Sequence, residues 1–319
     1  MPENNFFVDI ERLILQYIDI TDISDKRLSV YKDLNESQLR HYYEPDGGVF
    51  IAESLKVIER AFLFGCKPES VLLEKEKLDS DEHKRVIELV ASGSDNKADN
   101  SEDKKDKEVK EGNVPIYVAE KMELSKITGY NLTGGILAVM RRPDLKSVLD
   151  VTSGCKRIAI LDTVVNPTNI GAIFRSAAAF NVEAILLTKG CCDPLSRRAI
   201  RVSMGNVFQI PWTYLDSNEE EYNDERQRCA GLVKENFDLL RENGFKTVAM
   251  ALKDDSIRLD DERLKKEDKL AIIMGNEGDG LSDAAIAMSD YKAIIPMAHE
   301  VDSLNVAAAS AVAFWDLAR

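Results

Sequence analysis

The feature that most constrains this chain is a regular exchange of strand-like and helix-like runs from residue 157 to the end. RIAIL at 157–161 reads as a strand, GAIFRSAAAF at 171–180 as a helix, AILLT at 184–188 as a strand and 195–202 as a short helix. Further strands are expected at 207–211, 246–251 (KTVAMA), 269–274 (KLAIIM) and 293–296, with helices over 232–243 and 305–318. Parallel neighbours need a crossover long enough to hold a helix, so this alternation predicts an α/β fold with a parallel sheet covered on both faces.

The earlier part of the chain reads as a smaller α/β unit over 49–143. It has strands at 49–52, 70–73, 114–118 and 136–140, and helices at 54–64 and 79–91. Residues 1–48 read as a helical extension. Phe6, Phe7, Ile10, Leu13, Ile14 and Tyr17 recur at helical spacing, 31–43 is a second short helix, and Pro45, Gly47 and Gly48 mark a break. Residues 92–113 carry many charges of both signs but one Val and one Ala, too little apolar area to bury, and are expected to form a flexible insertion. Residues 144–156 read as a linker into the domain over 157–319. A chain of 319 residues suits two domains.

Acidic residues outnumber basic ones, 56 against 42, for a net charge of -14. That excludes a small module binding nucleic acid by bulk charge, though not a local basic patch. No run approaches ~18 apolar residues, so no membrane helix is expected. The opening MPENNFFVDIERL has acids where a secretory leader needs a basic region. The five cysteines, at 66, 155, 191, 192 and 229, are odd in number and form no CxxC, which fits free thiols, no metal site and a cytoplasmic protein.

Three segments fall at strand carboxyl ends, where α/β sheets place ligands. The first is Asn166-Pro167-Thr168-Asn169-Ile170-Gly171, with Arg175 one turn further along the helix. Asn can cap a helix, Gly admits close approach, and the Arg fork can grip phosphate. Taken alone, this segment is better explained as an ordinary capped turn with a surface Arg. The second is Met274-Gly275-Asn276-Glu277-Gly278-Asp279-Gly280-Leu281. Its glycine order is GxxGxG, not the GxGxxG of dinucleotide sites, and its two acids would repel a pyrophosphate. Such a loop suits a neutral or cationic small ligand, or is a simple turn. The third is Ile295-Pro296-Met297, followed by Val301-Asp302-Ser303-Leu304-Asn305-Val306-Ala307. Here Ser303 and Asn305 are placed to cap the last helix, and the Asn305 side chain could as well orient a substrate hydroxyl.

Taken in order, these segments resemble SpoU-type RNA 2′-O-ribose methyltransferases of the SPOUT superfamily. The matching motifs are N-x-G-x-x-x-R at Asn169, Gly171 and Arg175, G-N-E-G-x-G-L from Gly275 to Leu281, and I-P-M…S-L-N-V-A from Ile295 to Ala307. Gly190 to Pro194 and Ser203-Met204-Gly205 resemble the family's connecting elements, and 49–143 is similar to its small RNA-binding domain. The resemblance implies a C-terminal sheet domain tied in a trefoil knot, and a homodimer with sites near the subunit interface. It implies S-adenosyl-L-methionine as cofactor, contacted at Gly275, Asn276, Ile295, Met297 and Leu304, with Leu187 and Thr188 at a nearby strand end. The implied reaction is attack of a ribose 2′-oxygen of tRNA or rRNA on the sulfonium methyl.

By the same resemblance Arg175 is catalytic, as base or as the group that holds the target phosphate, Glu277 and Asn305 shape the site, and Ser303 orients Asn305 or the nucleotide. Asn169, Arg197, Arg198 and Arg201 are the candidate RNA contacts, and Arg141, Arg142, Lys146, Lys156 and Arg157 form a second basic cluster. His299 departs from the family pattern, which usually has a small residue near there. A non-catalytic RNA-binding or ribosome-assembly protein on the same fold is the alternative. The glycine order disfavours a nucleotide-dependent oxidoreductase.

Overall fold

A computed structural model describes residues 17–44, 47–94, 114–128, 132, 134–215, 232, 234–276, 278–299 and 301–318. The chain divides into two units, Met1–Arg142 and Pro143–Arg319. In the first, the elements are β1 (Tyr17–Ile20), α1 (Ser29–Lys32), α2 (Glu36–Arg40), β2 (Val49–Glu53), α3 (Leu55–Leu63), β3 (Pro68–Glu74), α4 (Asp81–Ser94), β4 (Ile116–Ala119), α5 (Lys121–Thr128) and β5 (Ile136–Arg141). The strands form one sheet in the order β1-β4-β3-β5-β2, with β5 antiparallel to both its neighbours and the other pairs parallel. Val57, Ile58 and Ala61 share the buried face of α3, the helical spacing that set it apart in the sequence. Leu28, Tyr31, Leu39, Leu72, Leu124 and Leu137 belong to the core on the other elements.

The helical extension expected over 1–48 is corrected where it is described. Residues 17–20 are an edge strand paired with β4, so tertiary pairing overrides the helical spacing that ended at Tyr17. The helix expected over 31–43 is broken, because Asn35 starts a new one: its side chain accepts from the Gln38 amide, and the Gln38 side chain accepts from the Asn35 amide. The helix expected over 6–17, apart from Tyr17, and the insertion expected over 92–113, apart from the backbone of 92–94 in α4, lie outside the described residues.

The second unit contains α6 (Val148–Thr152), β6 (Arg157–Leu161), α7 (Pro167–Ala179), β7 (Ala184–Leu187), α8 (Arg197–Val202), β8 (Trp212–Tyr214), α9 (Lys234–Glu242), β9 (Lys246–Met250), β10 (Ile257–Arg258), α10 (Glu262–Lys266), β11 (Leu270–Met274), α11 (Asp283–Met288), β12 (Tyr291–Ile294) and α12 (Val306–Leu317). Its seven strands are all parallel, in the order β10-β12-β9-β11-β6-β7-β8. Every residue of β11 is buried, as a strand covered on both faces requires. The chain adds β7 and β8 on one side of β6, then crosses to build the other side and inserts β11 between β6 and β9. The carboxyl ends around that reversal are where such sheets open a crevice.

Residues 144–156, expected as a linker, hold α6, which Ser147 caps by accepting from the Asp150 amide, and Val151 and Cys155 join the core. The strand expected over 207–211 is instead a 3-10 turn (Asn206–Phe208), with β8 beginning only at Trp212. Pro211 has no N–H for a ladder, and the Trp212 indole donates to the Val207 carbonyl at 3.1 Å, which holds the turn beneath the strand.

Arg157 was expected in a basic cluster for RNA. Its guanidinium is instead spent on main-chain carbonyls at the amino end of the sheet. It donates to Leu317 at 2.8 Å, Asp268 at 2.9 Å and Glu267 at 2.9 Å. Lys156 pairs with Asp268 at 3.1 Å, and Arg141 pairs with Glu69 at 2.8 Å. Cys66, Cys155, Cys191 and Cys192 are free thiols, and burial pushes the Cys66 thiol up to about 12. Among the described residues no helix is long and apolar enough to cross a membrane.

Candidate active site

The carboxyl ends of β9, β11 and β12 open into one cavity of about 420 Å³, inside the ~300–1,000 Å³ range of small-molecule sites. Its floor is the loop after β11. That loop folds back so closely that a Cβ on Gly275 would lie 2.6 Å from the Gly280 carbonyl carbon and the Leu281 nitrogen, so only glycine fits. The Asn276 side chain accepts from the Gly278 amide at 2.8 Å, and its carbonyl accepts from the Gly280 amide at 3.1 Å. Both bonds hold the turn in shape.

The walls are apolar on one side and acidic on another. Met250, Leu252, Met274, Ile295 and Leu304 supply hydrocarbon, while Asp279 and Asp302 supply carboxylates. Lys253 also lines the cavity, but Asp283 neutralises it at 2.8 Å. A ligand with a neutral ring and a cationic end suits such a lining.

The first turn of α7 is a junction. Asn166 caps it by accepting from the Thr168 amide at 2.9 Å, and Pro167 sits where a helix needs no donor. Asn169 is buried, and its side-chain oxygen accepts from Asn305 Nδ2 at 3.2 Å. Asn305 in turn caps α12, accepting from the Ala307 amide at 3.0 Å. One residue thus ties the start of the last helix to the start of α7. A Cβ on Gly171 would lie 2.6 Å from the Ala199 carbonyl oxygen and 2.8 Å from Val202 Cβ, so its absence lets α8 rest directly on α7. Arg175 is exposed one turn further along α7. On α8, Arg198 and Arg201 are exposed and Arg197 is half-buried. Arg198 Nε donates to Thr168 Oγ1 at 2.7 Å.

Of the residues expected in the site, Gly275, Asn276, Ile295, Met297, Ser303 and Leu304 all line the cavity. Asn305 stands at the helix start just beyond, joined to Asn169. Arg175 and the α8 arginines do not line it, and Glu277 lies outside the described residues. Leu187 and Thr188 are also away from the cavity wall, because β7 lies on the far side of β6 from β11. The Thr188 hydroxyl is used locally. It donates to Asp162 Oδ1 at 3.1 Å and accepts from the Thr163 amide at 2.9 Å. Burial holds the Asp162 carboxyl above its ordinary range despite that hydroxyl.

Sequence reasoning missed Met250, Leu252 and Lys253. They follow β9, so the carboxyl-end rule applies to them too, but only the strand order shows that β9 adjoins β11. Asp302, inside the third segment, also lines the cavity, though its residue type gives no local signal of that. His299 adopts φ of 57°, the left-handed region that favours glycine.

Residues 156–315 match the SpoU rRNA Methylase family. Over 302 residues the chain is 31% identical to a Mycobacterium bovis protein described as an uncharacterized tRNA/rRNA methyltransferase, covering 94% of this chain and 91% of the relative. Over 207 residues it is 26% identical to the Bacillus subtilis 23S rRNA (guanosine(2553)-2′-O)-methyltransferase RlmP, covering 65% and 74%. Among solved structures, the AdoMet-bound rRNA methyltransferase from Sinorhizobium meliloti shares the fold with a TM-score of 0.70 at 20% identity, covering 94% and 97%.

Proposed function

The chain belongs to the SpoU rRNA methylase family, and from that premise we propose that it methylates a ribose 2′-hydroxyl of tRNA or rRNA in the cytoplasm, with S-adenosyl-L-methionine as donor. The observation that carries this reading is the 3.2 Å bond between Asn305 and Asn169. It draws the first segment to the third, beside the cavity that the second and third enclose.

The residues present fit the donor. Gly275 and Asn276 form a tight floor, Ile295, Met297 and Leu304 offer apolar contact, and Asp279 and Asp302 complement positive charge. When bound, S-adenosyl-L-methionine supplies a methyl group on a cationic sulfur. The protein's part is to position the acceptor, since an in-line displacement gains most from orientation. Asn305, braced by Asn169, and Ser303 at the cavity edge orient the ribose. The Arg175 guanidinium holds a neighbouring phosphate, which eases loss of the 2′-hydroxyl proton. Arg197, Arg198 and Arg201 seat the RNA backbone.

A homodimer belongs to the same reading. Arg175 is exposed and does not line its own chain's cavity, and α12 leaves Val312 and Trp315 exposed beside α7, where Trp315 meets Phe180 at 5.5 Å. The trefoil knot is part of the same reading and rests on family membership.

The test is incubation with total RNA and methyl-labelled donor, followed by mapping of the modified ribose. Label on a 2′-oxygen that disappears in Arg175→Ala is the expected result. RNA binding without any label would overturn the reading in favour of a non-catalytic RNA-binding protein.

A further inference from the structure

We infer that Thr168 is a positioning residue for RNA, holding the Arg198 guanidinium toward a backbone phosphate next to the Asn169–Asn305 junction. The inference rests on the proposed function and adds a specific anchor to it. Arg198 Nε donates to Thr168 Oγ1 at 2.7 Å. Thr168 is itself fixed, because its amide donates to the Asn166 side chain at 2.9 Å and it lies in the first turn of α7. The residue after it, Asn169, accepts from Asn305 at 3.2 Å. The platform beneath is firm as well, since α8 rests on α7 with no room for a Cβ at Gly171.

The chemistry of the contact matters. A guanidinium has five N–H donors in a planar fork. Among the described residues the bond to Thr168 engages Nε, which leaves the edge formed by Nη1 and Nη2 for an anion. An exposed arginine normally gives up rotamer freedom when it grips phosphate. Here the Thr168 hydroxyl has already restricted that freedom, and it does so from the helix turn that also braces the site. The acceptor ribose and the phosphate anchor are thereby referred to one rigid element, so that seating the backbone also sets the nucleotide's register against the cavity.

A double-mutant cycle tests this, using unfractionated tRNA and, separately, total rRNA as probes and following whichever wild type binds more tightly. Thr168→Val removes the acceptor while keeping the side-chain shape. It should weaken RNA binding by about 2- to 10-fold and raise the KM for RNA more than it lowers kcat, with donor affinity unchanged. Thr168→Ser should restore binding. In an Arg198→Ala background Thr168→Val should have no further effect, and Arg198→Ala should reduce the salt slope of binding by about 0.7–0.9.

Additive effects of the two substitutions, an unaltered affinity in Thr168→Val, or failure of wild type to bind either RNA would overturn the inference. Loss of donor affinity in Thr168→Val would do the same, by showing a structural role. If wild type binds RNA with the expected coupling but transfers no methyl group, the function reading fails while the anchor stands.

Discussion

Gly171 offers a case in which two rules predict opposite signs. In a helix interior, Gly→Ala gains about 1 kcal/mol from propensity. Here the new methyl would lie 2.6 Å from the Ala199 carbonyl oxygen, 2.8 Å from Val202 Cβ and 3.1 Å from the Ser203 nitrogen. Overpacking costs about 1–3 kcal/mol, and the obstacle is mostly backbone of α8, which cannot rotate away as a side-chain tip can. With the upper part of that range, about 2–3 kcal/mol, less the propensity gain, Gly171→Ala should destabilise the second unit by about 1–2 kcal/mol. The protein supplies its own probe, because its two tryptophans, Trp212 and Trp315, both lie in Pro143–Arg319. Tryptophan fluorescence in urea therefore follows that unit alone. For a slope of about 2 kcal/mol/M, the midpoint should fall by about 0.5–1 M. RNA affinity should fall as well, since pushing α8 outward pulls Arg198 from Thr168. A midpoint that stays put or rises would refute the reasoning, for it would mean that α7 and α8 are not in direct backbone contact.

Three other outcomes are expected. Asn305→Asp keeps a capping oxygen for the Ala307 amide but lacks the Nδ2 donor to Asn169, so methyl transfer should fall by more than about tenfold with little change in the urea midpoint; transfer at the wild-type rate would disprove the bracing role. His299→Gly relieves a left-handed residue and should stabilise the second unit by about 0.5–1 kcal/mol, read from the same fluorescence curve; a lower midpoint would contradict it. His83 is fully buried with Nδ1 2.9 Å from Ser80 Oγ, and burial lowers its pKa below the ordinary value of 6.5. The unfolded chain then binds a proton that the folded unit refuses, so stability of Met1–Arg142 is full above pH 6.5 and drains as pH falls toward the folded pKa. Hydrogen-exchange protection of the β3 and β4 amides, corrected for intrinsic rate, should drop between pH 7 and pH 5.5 by about the same factor as the stability, and equal protection at both would count against it.

The strands of the second unit were legible because LAIIM, and RIAIL after its leading Arg157, are apolar, and few other structures bury four or five consecutive residues of a short run. What periodicity could not supply was neighbourhood. Leu187 and Thr188 end a genuine strand, as expected, but one that β6 separates from the cavity, whereas Met250 to Lys253 end a strand beside it. That difference lies in the order of strands, which no local pattern encodes. The run VFQI at 207–210 has strand-like composition yet forms a turn, since burial against α7 and the missing N–H of Pro211 decide it. The short helices α10 and α11 went unread although Asp261 and Ser282 cap them, accepting from the Arg263 and Ala285 amides. Five or six residues give too little periodicity to register. Within the site, the glycine-rich loop and the segment through Leu304 were visible as unusual residue order, while the Asn169–Asn305 contact spans 136 positions and had no local signature.

Arg157 has a corollary for the architecture. The guanidinium at the first position of β6 takes hold of the Leu317 carbonyl in the final turn of the chain. The first strand of this sheet and the last turn of α12 therefore share one fastening, like two ropes made fast to a single cleat. Neither can fray without loosening the other.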